Sequence, residues 1–120
     1  MELRLTPAAQ EFLQKQFQGN PAYLLLDYLD GDSPFNDQAI GCQLYDNYRL
    51  ILLDQQHEAI NWDFYDLVLE TELAPLHLKP KYEMLLDPHV VIDYDPRYLS
   101  LTMRGDSGIL VPRLSHLVIK

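Results

Sequence analysis

The alternation of apolar and polar residues divides this chain into short strands and one helix. Leu3 and Leu5 alternate with Glu2 and Arg4, which predicts a half-buried strand over residues 2–5. Thr6-Pro7 then opens a helix: the Thr6 hydroxyl can accept from an orphan backbone N–H, and Pro7 sits where a missing N–H costs nothing. Ala9, Phe12, Leu13 and Phe17 follow on one face and are expected to pack on the sheet, with Glu11, Gln14, Lys15 and Gln18 outward. Gly19 is expected in the left-handed closing position, before Asn20-Pro21.

Residues 22–29 are apolar almost throughout, as suits a central strand covered on both faces. Residues 40–44 and 48–53 read as a hairpin turning at Asp46-Asn47. Gln55 to Glu58 is polar loop, residues 59–65 suit a strand edge or a turn, and residues 66–72 read as a strand. From Pro75 to Leu114 come four strand-like runs. Leu76 to Leu78 is closed by Lys79-Pro80, residues 82–86 have room for one helical turn, and residues 90–94 read as a buried strand. Residues 98–103 set Ser100 and Thr102 against Leu99, Leu101 and Met103 before the turn Gly105-Asp106-Ser107-Gly108, and Gly108 to Pro112 follows. Residues 115–120 are expected to add an edge strand or dock on the core.

Seven or eight strand runs and one helix predict a mainly β fold with an N-terminal α-helix, a two-sheet sandwich or flattened barrel. Short spacings favour antiparallel pairing, because parallel neighbours need long crossovers. The 120 residues suit one domain spanning 1–120. The formal charge of −9 repels phosphate backbones and anionic lipid, so nucleic acid and membrane are set aside as partners. With no long apolar run and no apolar leader after Met1, a cytoplasmic location is expected. Cys42 is the one cysteine, which excludes an intramolecular disulfide.

Leu3-Arg-Leu-Thr-Pro-Ala-Ala9, the buried run Tyr23 to Asp27, Leu76-His-Leu78, the helical turn at residues 82–86, Val91-Ile-Asp-Tyr94 and the glycine-led Gly108 to Pro112 share an order. In that order the chain resembles the HesB-like family, the A-type carriers of iron-sulphur cluster assembly, over nearly its whole length. The resemblance implies that family's fold and a place in iron-sulphur biosynthesis. It also implies iron or an iron-sulphur cluster as cofactor, held by one cysteine after the second strand and two in a Cys-Gly-Cys tail. The first would fall within Gly31 to Phe35, which has no sulfur, and the tail pair would fall where the sequence reads Leu117 to Lys120. None of the three can be carried over.

Cys42 is therefore the candidate metal ligand, read beside Ile40 and Leu44 of the same parity as a small buried hydrophobe. Asp30 and Asp32 resemble the start of a calcium loop, but Pro34, Phe35 and Gly41 stand where that loop needs a ligand, a glycine and a glutamate, so a polar turn is expected. His57, His77, His89 and His116 lack the paired spacing of a zinc site. Arg104-Gly105-Asp106 is read as a hairpin turn, and carboxylates such as Asp27, Asp54 and Asp66 as solvated strand ends. Eight tyrosines suit core packing or an interaction surface. No catalytic motif is present. The expected function is a non-enzymatic accessory protein of iron-sulphur biosynthesis, or a metal-free interaction module on the same scaffold. Either has a protein partner and is a monomer or homodimer.

Overall fold

The computed structural model describes residues 1–28, 48–58 and 60–120. Its elements run β1 (Glu2–Leu5), α1 (Pro7–Phe17), β2 (Tyr23–Tyr28), β3 (Tyr48–Leu53), a 3-10 turn at Trp62–Tyr65, β4 (Leu67–Leu69), β5 (Leu76–Leu78), a second 3-10 turn at Pro80–Leu85, β6 (His89–Asp95), β7 (Ser100–Gly105) and β8 (Gly108–Ile119). The expected strand at residues 40–44, the Asp46-Asn47 turn and the loop holding Asp30 and Asp32 lie outside the described residues.

The strands form one sheet ordered β1-β6-β7-β8-β3-β2-β5-β4. Its two edges come together. The Leu5 N–H donates to Glu72 Oε1 at 3.1 Å, and Arg4 Nη1 lies 3.6 Å from Glu72 Oε2, so one carboxylate just beyond β4 bridges to β1. The fold is thus mainly β, nearly closed and barrel-like, with the expected N-terminal helix.

Two expectations about pairing are corrected. Three neighbouring pairs are parallel, β1 with β6, β2 with β5 and β3 with β8. Each joins strands far apart in sequence, so the connecting elements supply the crossover that short loops could not. The run from Ser115 is no edge strand: β8 pairs antiparallel with β7 through its first half and parallel with β3 through its second, linking the two halves of the sheet. Pro112, which has no N–H to give, sits between the paired Val111 and Leu114, where the β7–β8 register shifts.

Helix α1 forms as its sequence requires. The Thr6 hydroxyl accepts from the Ala9 N–H at 3.2 Å and donates to Asp93 Oδ1 at 2.7 Å, tying the cap to β6. That hydrogen bond, then the Tyr94 N–H and Arg104, holds the Asp93 carboxyl below its ordinary value against the opposing effect of burial. The next residue, Tyr94, stacks on Phe12 with ring centroids 4.4 Å apart. The Asp93-Tyr94 pair therefore docks the helix. Leu13 and Phe17 are buried with Ala9 in the main core, whereas Phe12 is only half-buried. The helix closes on Gln18, at φ 62°, one residue before the glycine expected there, and Gly19 follows at φ 144°.

His116 packs edge-on against Phe12 at 5.3 Å, and its Nε2 lies 3.4 Å from Gln16 Oε1. Burial holds this imidazole below its ordinary value. The unfolded chain, titrating near about 6.5, takes up the proton first as pH falls. The stability held above about pH 7 is therefore lost as pH drops through about 6.5 towards the folded-state value. Urea midpoints at pH 7.5 and 5.5 should fall further apart for the native chain than for His116→Gln; equal differences would show that His116 does not carry the effect.

The Arg104-Gly105-Asp106 tripeptide lies at the β7–β8 hairpin as expected. Asp106 is exposed, so Asp106→Ala should change stability by no more than about 1 kcal/mol. Gly105 behaves differently. A side chain there would occupy the position of the Asp87 carboxylate, which accepts from the Ser107 N–H at 3.0 Å and hydroxyl at 2.8 Å. Gly105→Ala should lower the urea midpoint more than Asp106→Ala; the reverse order would mean that the Asp87 contacts do not hold the turn.

Two further expectations are adjusted at the strand ends. Tyr98 and Leu99 belong to the turn before β7, with Leu99 at φ 51° and exposed, and only Leu101 and Met103 face the core. The strand expected over residues 66–72 is confined to Leu67–Leu69.

Candidate functional site

Asp27 and Arg49 are lone charges in otherwise apolar strands, and the β2–β3 ladder sets them directly opposite each other. Both are buried, Asp27 completely. Arg49 Nε lies 3.7 Å from Asp27 Oδ2, and the Tyr65 hydroxyl donates to Asp27 Oδ1 at 2.8 Å. Burial pulls the Arg49 guanidinium below its ordinary value, while the Asp27 carboxylate and, after it, the Tyr65 phenol act against that pull. A buried charge persists only when paired and hydrogen-bonded, and here the ladder and the Tyr65 hydroxyl supply both. Asp27 is therefore not the solvated strand-end carboxylate that the sequence suggested.

Lys79, read from the sequence as the close of a strand, is buried as well. Its Nζ lies 5.4 Å from the Tyr65 ring centroid and 5.7 Å from that of Tyr82. Tyr82 stands 5.2 Å from Tyr28, and Tyr28 lies 5.0 Å from Tyr48, its cross-strand partner. Burial, and then the neighbouring Tyr28, raises the Tyr48 phenol. Tyr28 ends β2 and Tyr48 begins β3, side by side at this charged, tyrosine-lined end of the sheet.

Cys42, the candidate metal ligand, lies outside the described residues. The four histidines do not converge. His77 stacks edge-on against Trp62 at 4.9 Å, and the Trp62 N–H donates to the His57 carbonyl at 3.2 Å, on the face of the sheet opposite the main core. His89 lies 3.2 Å from Asp106 Oδ2 at the surface, and His116 lies under α1. Among the described residues no group of three or more His, Cys, Asp or Glu side chains could hold a metal ion. No described helix is long and apolar enough to cross a membrane.

The described tyrosines differ in burial, and core packing holds for the buried ones. Tyr65 and Tyr82 are buried, Tyr23, Tyr28, Tyr48 and Tyr94 are half-buried, and Tyr98 is exposed. Sequence reasoning missed the Asp27–Arg49 pair. The signal was present as one charge in each of two apolar runs, since such residues are almost never fully buried unless paired. Tyr65 and Lys79 gave no comparable signal.

The sequence model for iron-sulphur cluster biosynthesis proteins matches residues 1–117. YqkB, an uncharacterised protein of Bacillus subtilis (strain 168), is 24% identical over 118 residues, covering 98% of this chain and 99% of that protein. The crystal structure of a candidate Fe-S biosynthesis protein from Lactobacillus salivarius superposes with a TM-score of 0.79 at 24% identity, covering 98% of each chain. A second, from Lactobacillus acidophilus, does so with a TM-score of 0.64 at 18% identity, covering 98% of this chain and 90% of that one. At these identities the superpositions speak for the fold.

Proposed function

The chain belongs to the iron-sulphur cluster biosynthesis family, and from that premise we propose that it serves this assembly as an accessory protein, acting by contact with a protein partner rather than by ligating a cluster itself. The donor set carries this reading. The 120 residues hold one cysteine, and iron-sulphur clusters are held chiefly by several thiolates. A symmetric pair of chains could offer two, but only if both Cys42 thiols met at the dimer axis. The donors present do not fit a resident cluster. On this reading Asp27, Arg49, Tyr65 and Lys79 are a buried structural cluster, and no reaction is assigned to them.

Anaerobic reconstitution with ferrous iron and sulfide, followed by absorbance and iron counting, tests the proposal. The expected product is colourless, takes up less than one cluster for every two chains, and behaves alike with Cys42→Ser. A brown product whose visible absorbance is lost in Cys42→Ser would overturn the reading and make Cys42 a cluster ligand.

A further inference from the structure

Charge is unevenly divided along this acidic chain. Residues 97–120 carry Arg97, Arg104, Arg113 and Lys120 against Asp106 alone, a formal +3, whereas residues 1–96 carry −12. In the fold Arg97 and Arg104 are neutralised by Asp95 and Asp93 of β6 and Lys120 lies over the Phe17 ring, which leaves Arg113 of β8 as the cation beside the turn that precedes β7.

That turn presents two apolar side chains to solvent. Tyr98 is 62% exposed and Leu99 74% exposed. Leu99 holds the left-handed conformation, which a branched side chain seldom adopts, and Asp95 pins the turn by accepting from the Arg97 N–H at 3.0 Å and, through its carbonyl, from the Tyr98 N–H at 3.3 Å. The Tyr98 ring has two guanidiniums near it, Arg97 at 5.7 Å and Arg113 at 5.9 Å. Arg97 is paired with Asp95, but Arg113, exposed on β8, has no carboxylate within ion-pair reach among the described residues. Beside the turn lies a groove of about 470 Å³, lined in part by Pro96, Thr102 and Ile109 and by the paired Asp93 and Arg104.

We propose that this turn, with Arg113 beside it, docks an acidic segment of a partner protein: an aliphatic or aromatic side chain seats on Leu99 and Tyr98, and a carboxylate pairs with Arg113. Exposed tyrosine and arginine on a pinned backbone are the residue types that dominate binding energy at protein interfaces. A planar guanidinium without an anion is matched by a carboxylate. The net charge of −9 opposes a polyanion at long range, which disfavours nucleic acid, whereas a short segment needs to place only one carboxylate on Arg113. The surface stands independently of the accessory reading, because peptide binding and cluster reconstitution can each succeed or fail alone.

The test is selection of random twelve-residue phage-displayed peptides on the full chain, followed by fluorescence polarisation of the winning peptide. Leu99→Ser and Arg113→Glu are compared with the native chain and with Asp63→Ala, a control on the Trp62–Tyr65 turn, after circular dichroism confirms that each variant is folded. The expected winners place Asp or Glu beside Leu, Ile or Phe, and bind about tenfold more weakly to each of the two variants but equally to the control. Four results would overturn the proposal: no enrichment, a basic consensus, binding that survives both substitutions, or equal competition by a single-stranded oligonucleotide. Concentration-dependent self-association lost in Arg113→Glu would do the same, by assigning the surface to a second copy.

Discussion

Asp27→Ala is expected to cost about 3–5 kcal/mol of folding stability, because it removes the anion that Arg49 faces across the ladder and leaves a guanidinium in the core without it. The Tyr65 hydroxyl loses its acceptor in the same step. Urea unfolding of the two single variants and the double variant isolates the pair. Replacing both Asp27 and Arg49 by leucine should recover much of the loss, since apolar residues of similar volume often substitute for a buried ion pair at little cost. A single variant as stable as the native chain would show that the charges are not buried against each other.

Strand β3 should tolerate truncation on neither face. Arg49 to Leu53 are all buried, with Leu50 and Leu52 in the main core and Ile51 and Leu53 in the second cluster, with Ile60 and Tyr65. Leu52→Ala and Ile51→Ala should each cost about 2–5 kcal/mol, read as a fall in the urea midpoint. In an antiparallel strand with one wet face, one of the two would be nearly silent. An unchanged midpoint for Ile51→Ala would mean that the segment carrying Trp62 and Tyr65 does not cover the sheet.

The expectation for Phe12 changes for a related reason. Its helical position places it on the apolar face, yet Tyr94 and His116 cover it only in part, so the large truncation cost expected of a core phenylalanine belongs to Phe17 instead.

Local chemistry made much of the fold legible. The Thr6 cap, Pro7 and the spacing of Ala9, Leu13 and Phe17 define α1 within one stretch of chain, and the runs at residues 2–5, 23–28, 48–53 and 76–78 read as strands from local signals, alternation in the first and short apolar runs bounded by polar or turn residues in the others. The order of those elements also carried the family resemblance, and the count of cysteines needs no coordinates. The sequence by itself thus determined the class of fold, the helix and its cap, and a donor set of one thiol. Tertiary structure decided the rest: the parallel pairings, the place of β8 between β7 and β3, the burial of Asp27, and the meeting of Tyr65 and Lys79 around it. These depend on contacts between residues far apart in the chain, such as Tyr65 with Asp27 across 38 positions. Periodicity reports which face of an element is apolar but not what covers that face, and a carboxylate at the end of a strand reads the same whether it meets water or a buried arginine.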